Sequence, residues 1–140
     1  MDPAETRAFL TAGTRTGKLG VVKRDGGVMV VPIWFVVDDD DGSLIFNTGA
    51  GTTKGRAIVR DPRVSICVDD DAPPYSYVRV DGIAEVSDDV ASMVPWSIAI
   101  ARRYMGDALA DQYGRRNAVD GELLVRVRPT RVVALAGVAD

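Results

Sequence analysis

Residues 28–37 read VMVVPIWFVV. The run is β-branched and aromatic and apolar at almost every position. It is too short for a membrane helix, which needs roughly 18–20 apolar residues, and too rich in β-branched side chains for a comfortable soluble one. It is therefore expected to be a strand buried on both faces. Pro32 inside it cannot donate a ladder hydrogen bond. That implies a bulge, an edge, or a place where something other than a strand lies alongside.

Working outward, KLGVVK (18–23) is a short apolar strand, and Asp25-Gly26-Gly27 is a hairpin turn joining it to the long run. On the other side, DDDDG (38–42) reads as a solvated hairpin tip, with a hard-cation site as the lesser alternative. Strands are expected at 43–48, at 64–68, at 75–86 with a bulge at Gly82, and at 123–127 and 131–135 around Pro129. Helices are expected at 2–12, where Asp2, Pro3 and Glu5 form an N-terminal capping pattern, and at 55–60. Met93, Trp96, Ile100 and Tyr104 make a helical stripe over 92–105, with Pro95 in its first turn, and a short helix follows from Gly106 toward Tyr113. Successive hairpins point to a mainly β, antiparallel sheet closing into a small barrel with flanking helices. The 140 residues fit one domain spanning 1–140.

The chain contains no histidine and one cysteine, Cys67. This excludes Ser-His-Asp and Cys-His catalysis, an intrachain disulfide, and His- or Cys-framed metal sites, so no metal is expected. Chemistry here must be carried by a bound cofactor or by other side chains. A net charge of −3 disfavours a nucleic-acid partner. No membrane segment or signal peptide is read, and a cytoplasmic location is expected. Cys67 alternates with Val64, Ile66 and Val68 and is expected to act as a small buried hydrophobe.

Three segments could carry function. NTGAGTTKGRAIVR (47–60) places Asn47, Thr48, Thr53, Lys54, Arg56 and Arg60 around a glycine-rich turn into a helix. Converging N–H groups, hydroxyls and cationic side chains there describe an anion cradle; a plain strand–loop–helix connection has the same composition. Its spacing matches neither a P-loop nor a dinucleotide fingerprint. Pro32, Ile33 and Trp34 could offer a free backbone edge to a planar heterocycle, or could be an edge proline beside a core tryptophan. Tyr75, Tyr77 and Arg79, spaced by two, would share one strand face and suit a site wall, a subunit interface or a solvated sheet.

VPIWFV, then IFNT, then TTKGRAIVRDPRVSICVDD, then YSYVRVDGIAEV resemble, in that order, the split β-barrel flavin and deazaflavin oxidoreductases of the pyridoxamine 5'-phosphate oxidase-like superfamily. Lys54–Val64 is the most specific part, and the likeness covers nearly the whole chain. Within the superfamily the chain looks most like small actinobacterial enzymes using coenzyme F420, a deazaflavin. The resemblance implies a homodimer with the cofactor at the subunit interface and a small conjugated organic substrate that receives a hydride. It would lay Pro32, Ile33 and Trp34 along the ring. Asn47, Thr48, Thr53 and Lys54 would hold the ribityl chain and phosphate, with Arg56 and Arg60 near the anionic tail. Tyr75 would reach across from the partner, and Tyr77 and Arg79 would line the substrate site. An FMN-dependent enzyme of the same fold and a non-catalytic cofactor carrier are the alternatives. No catalytic residue is assigned.

Overall fold

The computed structural model describes residues 1–140. Its elements run α1 (Pro3–Thr11), β1 (Gly17–Val22), β2 (Val28–Ile33), β3 (Val36–Val37), β4 (Leu44–Gly49), α2 (Thr53–Arg60), β5 (Arg63–Asp69), β6 (Tyr77–Ser87), α3 (Val90–Met105), α4 (Asp107–Asn117) and β7 (Glu122–Leu135). Seven strands form one sheet in the order β2-β1-β5-β6-β7-β4-β3, and every pairing is antiparallel.

The 28–37 run is not one strand. It divides into β2 and β3, which are the two outer edges of the sheet, with only Trp34 and Phe35 between them. Two edges joined by two residues must lie close in space, so the sheet curls until it meets itself there. This is an antiparallel split β-barrel with flanking helices.

The run is not buried on both faces either. Val28 and Val30 are 73% and 62% exposed, while Ile33 and Phe35 are buried. An uninterrupted apolar pattern suggests a covered central strand. Here it belongs to an edge whose outward face nothing in this chain covers. Pro32 sits on that edge, one of the placements its missing N–H allows.

The barrel interior holds the main core, with Leu19, Phe35, Phe46 and Ile66 fully enclosed and Leu10 of α1 and Ile58 of α2 closing it. The helical stripe of α3 packs outside, where Met93 meets Ile45, Ala118 and Leu124, and Trp96 lies against them. The capping box of α1 forms as read: the Glu5 N–H donates to Asp2, and the Asp2 N–H donates to Glu5.

Other expectations are corrected. The two final strands are one, β7, because the register shift opposite Asp81/Gly82 leaves Thr130, beside Pro129, as the extra residue of a bulge. A Cβ at Gly82 would lie 2.5 Å from the Arg128 carbonyl oxygen, so the bulge needs glycine. Pro95 lies in the second turn of α3, not the first, since the helix starts at Val90. Tyr75 does not share the face of Tyr77 and Arg79: it precedes β6 in a turn, with φ of 59°. Cys67 is half-buried on the outward face, while Val64, Ile66 and Val68 point inward.

The acidic 38–42 turn is not simply solvated. Asp38 is 8% exposed. Its carboxylate accepts from the Asp40 N–H at 2.9 Å and from Arg126 Nη1 at 2.6 Å. Arg128 joins Asp41 and Glu85 at 3.1 and 2.6 Å. The turn is thereby fastened to β7. The Asp40 N–H first, and Arg126 next, hold the Asp38 carboxyl below its ordinary 3.8. A depressed carboxyl stabilises the fold above its unfolded pKa and loses that contribution as pH falls through the folded value. Asp38→Asn should therefore cost about 1–3 kcal/mol at neutral pH. Urea denaturation of both proteins should show the difference narrowing as pH falls below 3.8.

Candidate functional site

The strand–loop–helix at 47–60 is built around Thr52. Its Oγ1 accepts from the Gly55 N–H at 3.1 Å and donates to the Gly49 carbonyl at 2.8 Å, which caps α2 and folds it back onto the end of β4. A Cβ at Gly55 would overlap the Gly49 carbonyl oxygen, so only glycine lets the helix start this close to the strand.

Thr53, Arg56 and Arg60, at i, i+3 and i+7, share the outward face of α2. Lys23, Arg24 and Asp25 of the β1–β2 hairpin face them. Together these six residues line a groove of about 570 Å³ with no apolar residue in it. Nine lysines and arginines elsewhere in the chain make ion pairs, whereas Lys23, Arg24, Arg56 and Arg60 make none. Four unpaired cations therefore face one carboxylate, and Asp25 is itself turned onto the Gly27 N–H at 2.8 Å. That bond, helped by Lys23, lowers the Asp25 pKa. Arg63 is excluded: it forks onto Asp61 at 2.9 and 2.6 Å and holds that carboxyl down at about 2.

Other members of the segment lie apart. Lys54 is half-buried on the opposite side of α2, near Glu122. Burial raises the Glu122 pKa, and Lys54 opposes the rise. Asn47 and Thr48 alternate on β4 and so face opposite sides. Asn47 Oδ1 accepts from Ser97 Oγ at 2.9 Å, while its Nδ2 is buried without a partner. Thr48 is buried, with its Oγ1 3.3 Å from Thr52 Oγ1.

The second constellation is the seam between β2 and β3. Ile33 is buried, so only its backbone is available there, while Pro32 and Trp34 face outward. Trp34 is stacked on Tyr104, with ring centroids 5.1 Å apart and planes 5° apart. Phe35 is held at both backbone atoms from α3. Its N–H donates to Tyr104 Oη at 3.3 Å, and its carbonyl accepts from Arg103 Nη1 at 2.8 Å. Arg103 also reaches the carbonyls of Leu10 and Gly13, at 2.8 and 3.0 Å, and no carboxylate pairs with it. Burial depresses the Arg103 pKa and raises that of the Tyr104 phenol.

Across the outward face, Pro32, Lys18, Cys67, Arg79 and Val133 stand in one row of neighbouring strands. Three strand spacings put Arg79 roughly 14 Å from Pro32 within one chain. Arg79 is turned onto Asp81 at 3.0 Å, which also accepts from Ser65 at 2.8 Å. Tyr75 and Tyr77 line a cavity of about 500 Å³ with Cys67 and Asp69 to Asp71.

The sequence profile described as pyridoxamine 5'-phosphate oxidase matches residues 3–136. The chain belongs to this family. Among solved structures, a conserved hypothetical protein of Mycobacterium tuberculosis is similar at 25% identity and a TM-score of 0.84, over 98% of this chain and 86% of that one. A structure described as an F420 reductase is similar at 26% identity and a TM-score of 0.70, over 90% of this chain and 94% of that one. A heme storage protein of Vibrio cholerae shares the fold, at 18% identity and a TM-score of 0.75, over 99% of this chain and 98% of that one. Comparison with curated proteins gives no significant match.

Lys23 and Arg24, which line the groove, and Arg103 and Tyr104, which hold the seam at Phe35, are not among the candidate site residues of the sequence reading. The visible signal for the first two was a pair of cations directly before a hairpin turn. Thr52→Ala should lower stability by about 1 kcal/mol, the usual cost of a lost N-cap. Gly55→Ala, which forces α2 off Gly49, should lower it further. Thermal denaturation of both variants checks the order.

Proposed function

We propose that the protein is a deazaflavin-dependent oxidoreductase that works with coenzyme F420 and reduces a small conjugated organic substrate. The observation that carries this reading is the groove of four unpaired cations between the β1–β2 hairpin and α2. A short ribityl phosphate needs one such contact or two. A phosphodiester followed by carboxylates needs several, spread along a groove, and guanidinium forks suit both anions.

The β1–β2 hairpin also sets a span. From Ile33 to Val28 there are five strand steps, roughly 17 Å at about 3.3 Å per residue, and the cationic turn lies beyond. A ligand that touched both Pro32–Trp34 and the groove would be longer than FMN. Pro32 and Trp34 would lie against the ring. Thr53 would face the cofactor together with Lys23, Arg24, Arg56 and Arg60 at its anionic end, whereas Thr48 is buried and Asn47 and Lys54 are turned to other sides of β4 and α2. When bound and reduced, the deazaflavin supplies a hydride. The chain's own residues bind and orient, and no histidine is required to move a proton.

A second copy of the chain completes this reading. Val28, Val30 and Pro32 are exposed on the outward face of the sheet, next to the Lys18–Cys67–Arg79 row. A partner covering that face would bury the apolar edge and bring its own Tyr75, Tyr77 and Arg79 toward the cofactor and substrate.

Oxidised coenzyme F420, titrated by its fluorescence, should bind at least tenfold more tightly than FMN. The double variant Lys23→Ala/Arg24→Ala should weaken F420 binding at least tenfold and leave FMN within twofold. The reverse order of affinities would assign the site to FMN. Sedimentation at micromolar concentration should give a dimer, and Val30→Glu should shift it toward monomer.

A further inference from the structure

A cavity of about 800 Å³ lies between α1 and the inner face of the sheet, and the proposed function makes no use of it. Leu10 of α1 forms one wall, and Leu44, Val80, Val132 and Ala134 of the sheet form the other. Beyond the Gly82 bulge, β7 sets Val132 directly opposite Val80, and Ala134 opposite Val78. Residues opposite each other in an antiparallel pair share a face, and Val78 and Val80 belong to the barrel core. Val132 is therefore an inward-facing valine, yet it remains 48% exposed. α1 packs on β3 and β6, and Val132 on β7 lies beyond its cover.

The chain thus leaves apolar surface open at one end of its barrel, in a volume within the range of small-molecule sites, roughly 300–1,000 Å³. This inner face is not the one assigned to a second copy, which carries Val28, Val30 and Pro32 outward. No residue of the cavity belongs to the cationic groove.

The lining specifies the chemistry of an occupant. It contains no aromatic ring, so nothing in it offers a stacking surface to a planar molecule. Aliphatic walls suit an aliphatic chain. Arg7 is the one charged side chain in the lining. The Thr6 hydroxyl, also there, already donates to the Asp2 carbonyl at 2.8 Å. Arg7 pairs with Asp39, whose side chain is 88% exposed. So exposed a partner holds a cation weakly, and an anion seated beside it can take its place. A guanidinium fork fits a carboxylate in particular.

We propose that this cavity binds a straight-chain aliphatic carboxylate of medium length, its chain along Leu10, Val80 and Val132 and its carboxylate on Arg7. The site is separate from the cofactor groove, and either assignment can stand without the other.

The test is calorimetry on the full chain at neutral pH without cofactor. Hexanoate, octanoate and decanoate are titrated, each below the concentration at which it forms micelles. Affinity should rise at least threefold with each added pair of methylenes, as burial of the chain requires. Decyltrimethylammonium, with the same chain and the opposite charge, should bind at least tenfold more weakly than decanoate. Arg7→Gln should weaken decanoate binding at least fivefold, and Asp39→Asn, which frees Arg7 from its partner, should tighten it. Val132→Phe and Ala134→Phe, which fill the cavity from two positions, should each weaken it at least tenfold, and either decides if the other fails to fold. Affinity independent of chain length, equal binding of the two head groups, or decanoate binding that survives the phenylalanines would overturn the proposal. So would a loss in Asp39→Asn as large as that in Arg7→Gln, which would leave Arg7 as a structural partner of the 38–42 turn. Loss of binding in Val30→Glu instead of Val132→Phe would move the chain to the outward edge and overturn it as well.

Discussion

The peptide groups of Phe35 are where this barrel is held shut. Where β2 gives way to β3, the chain leaves one edge of the sheet and enters the other, and the ladder has no partner to offer at that step. Phe35 itself is fully buried, and unpaired polar backbone atoms there would be costly. Tyr104 takes its N–H and Arg103 serves its carbonyl, both from the last turn of α3. The helix inserted between β6 and β7 thus does more than cover the sheet. Its C-terminal turn supplies the hydrogen bonds that the seam lacks, and Arg103 carries the same grip to the carbonyls that end α1. Three regions take their positions from this contact: the Pro32 edge, the Trp34 ring and the end of α1.

How legible this was in the sequence differs by the range of the signal. The capping box of α1, the hairpin at Asp25–Gly27, the bulge at Gly82 and the strand nature of 28–37 are local. Each follows from the conformational preferences of a few adjacent residues, and each is found. Division of the 28–37 run was not legible, because its cause is the closure of the sheet and the distant Arg103 and Tyr104. Apolar character on both faces of β2 was visible, yet burial does not follow from it. Only a neighbouring surface buries a face, and for β2 that surface is absent from this chain.

The anion groove shows the same division. Arg56 and Arg60 were readable as a pair from their place on a helix. Lys54, adjacent in sequence, is carried by the helical turn to the other side, toward Glu122. Lys23 and Arg24 enter because β1 and β2 project their hairpin over α2, a tertiary fact with no trace in the 47–60 segment. Arg63, three residues beyond Arg60, is spent on Asp61.

Net charge conceals this arrangement. A chain at −3 looks unsuited to an anionic ligand, but the average says little when half of the acids already have cationic partners. Asp38, Asp41 and Glu85 are bound to Arg126 and Arg128, Asp81 to Arg79, Asp69 to Lys18 and Asp70 to Arg15. What a ligand meets is the local remainder. In the groove the remainder is cationic, because four side chains from two elements make no ion pair and share about 570 Å³ with a single carboxylate, Asp25. Each unpaired cation keeps its attraction for an incoming anion, and gathering them raises the local potential well above what the whole-chain charge suggests. The absence of histidine fits the same division of labour. Side chains here are arranged to hold charge and planar surface in place, and bond-making chemistry is left to what they hold.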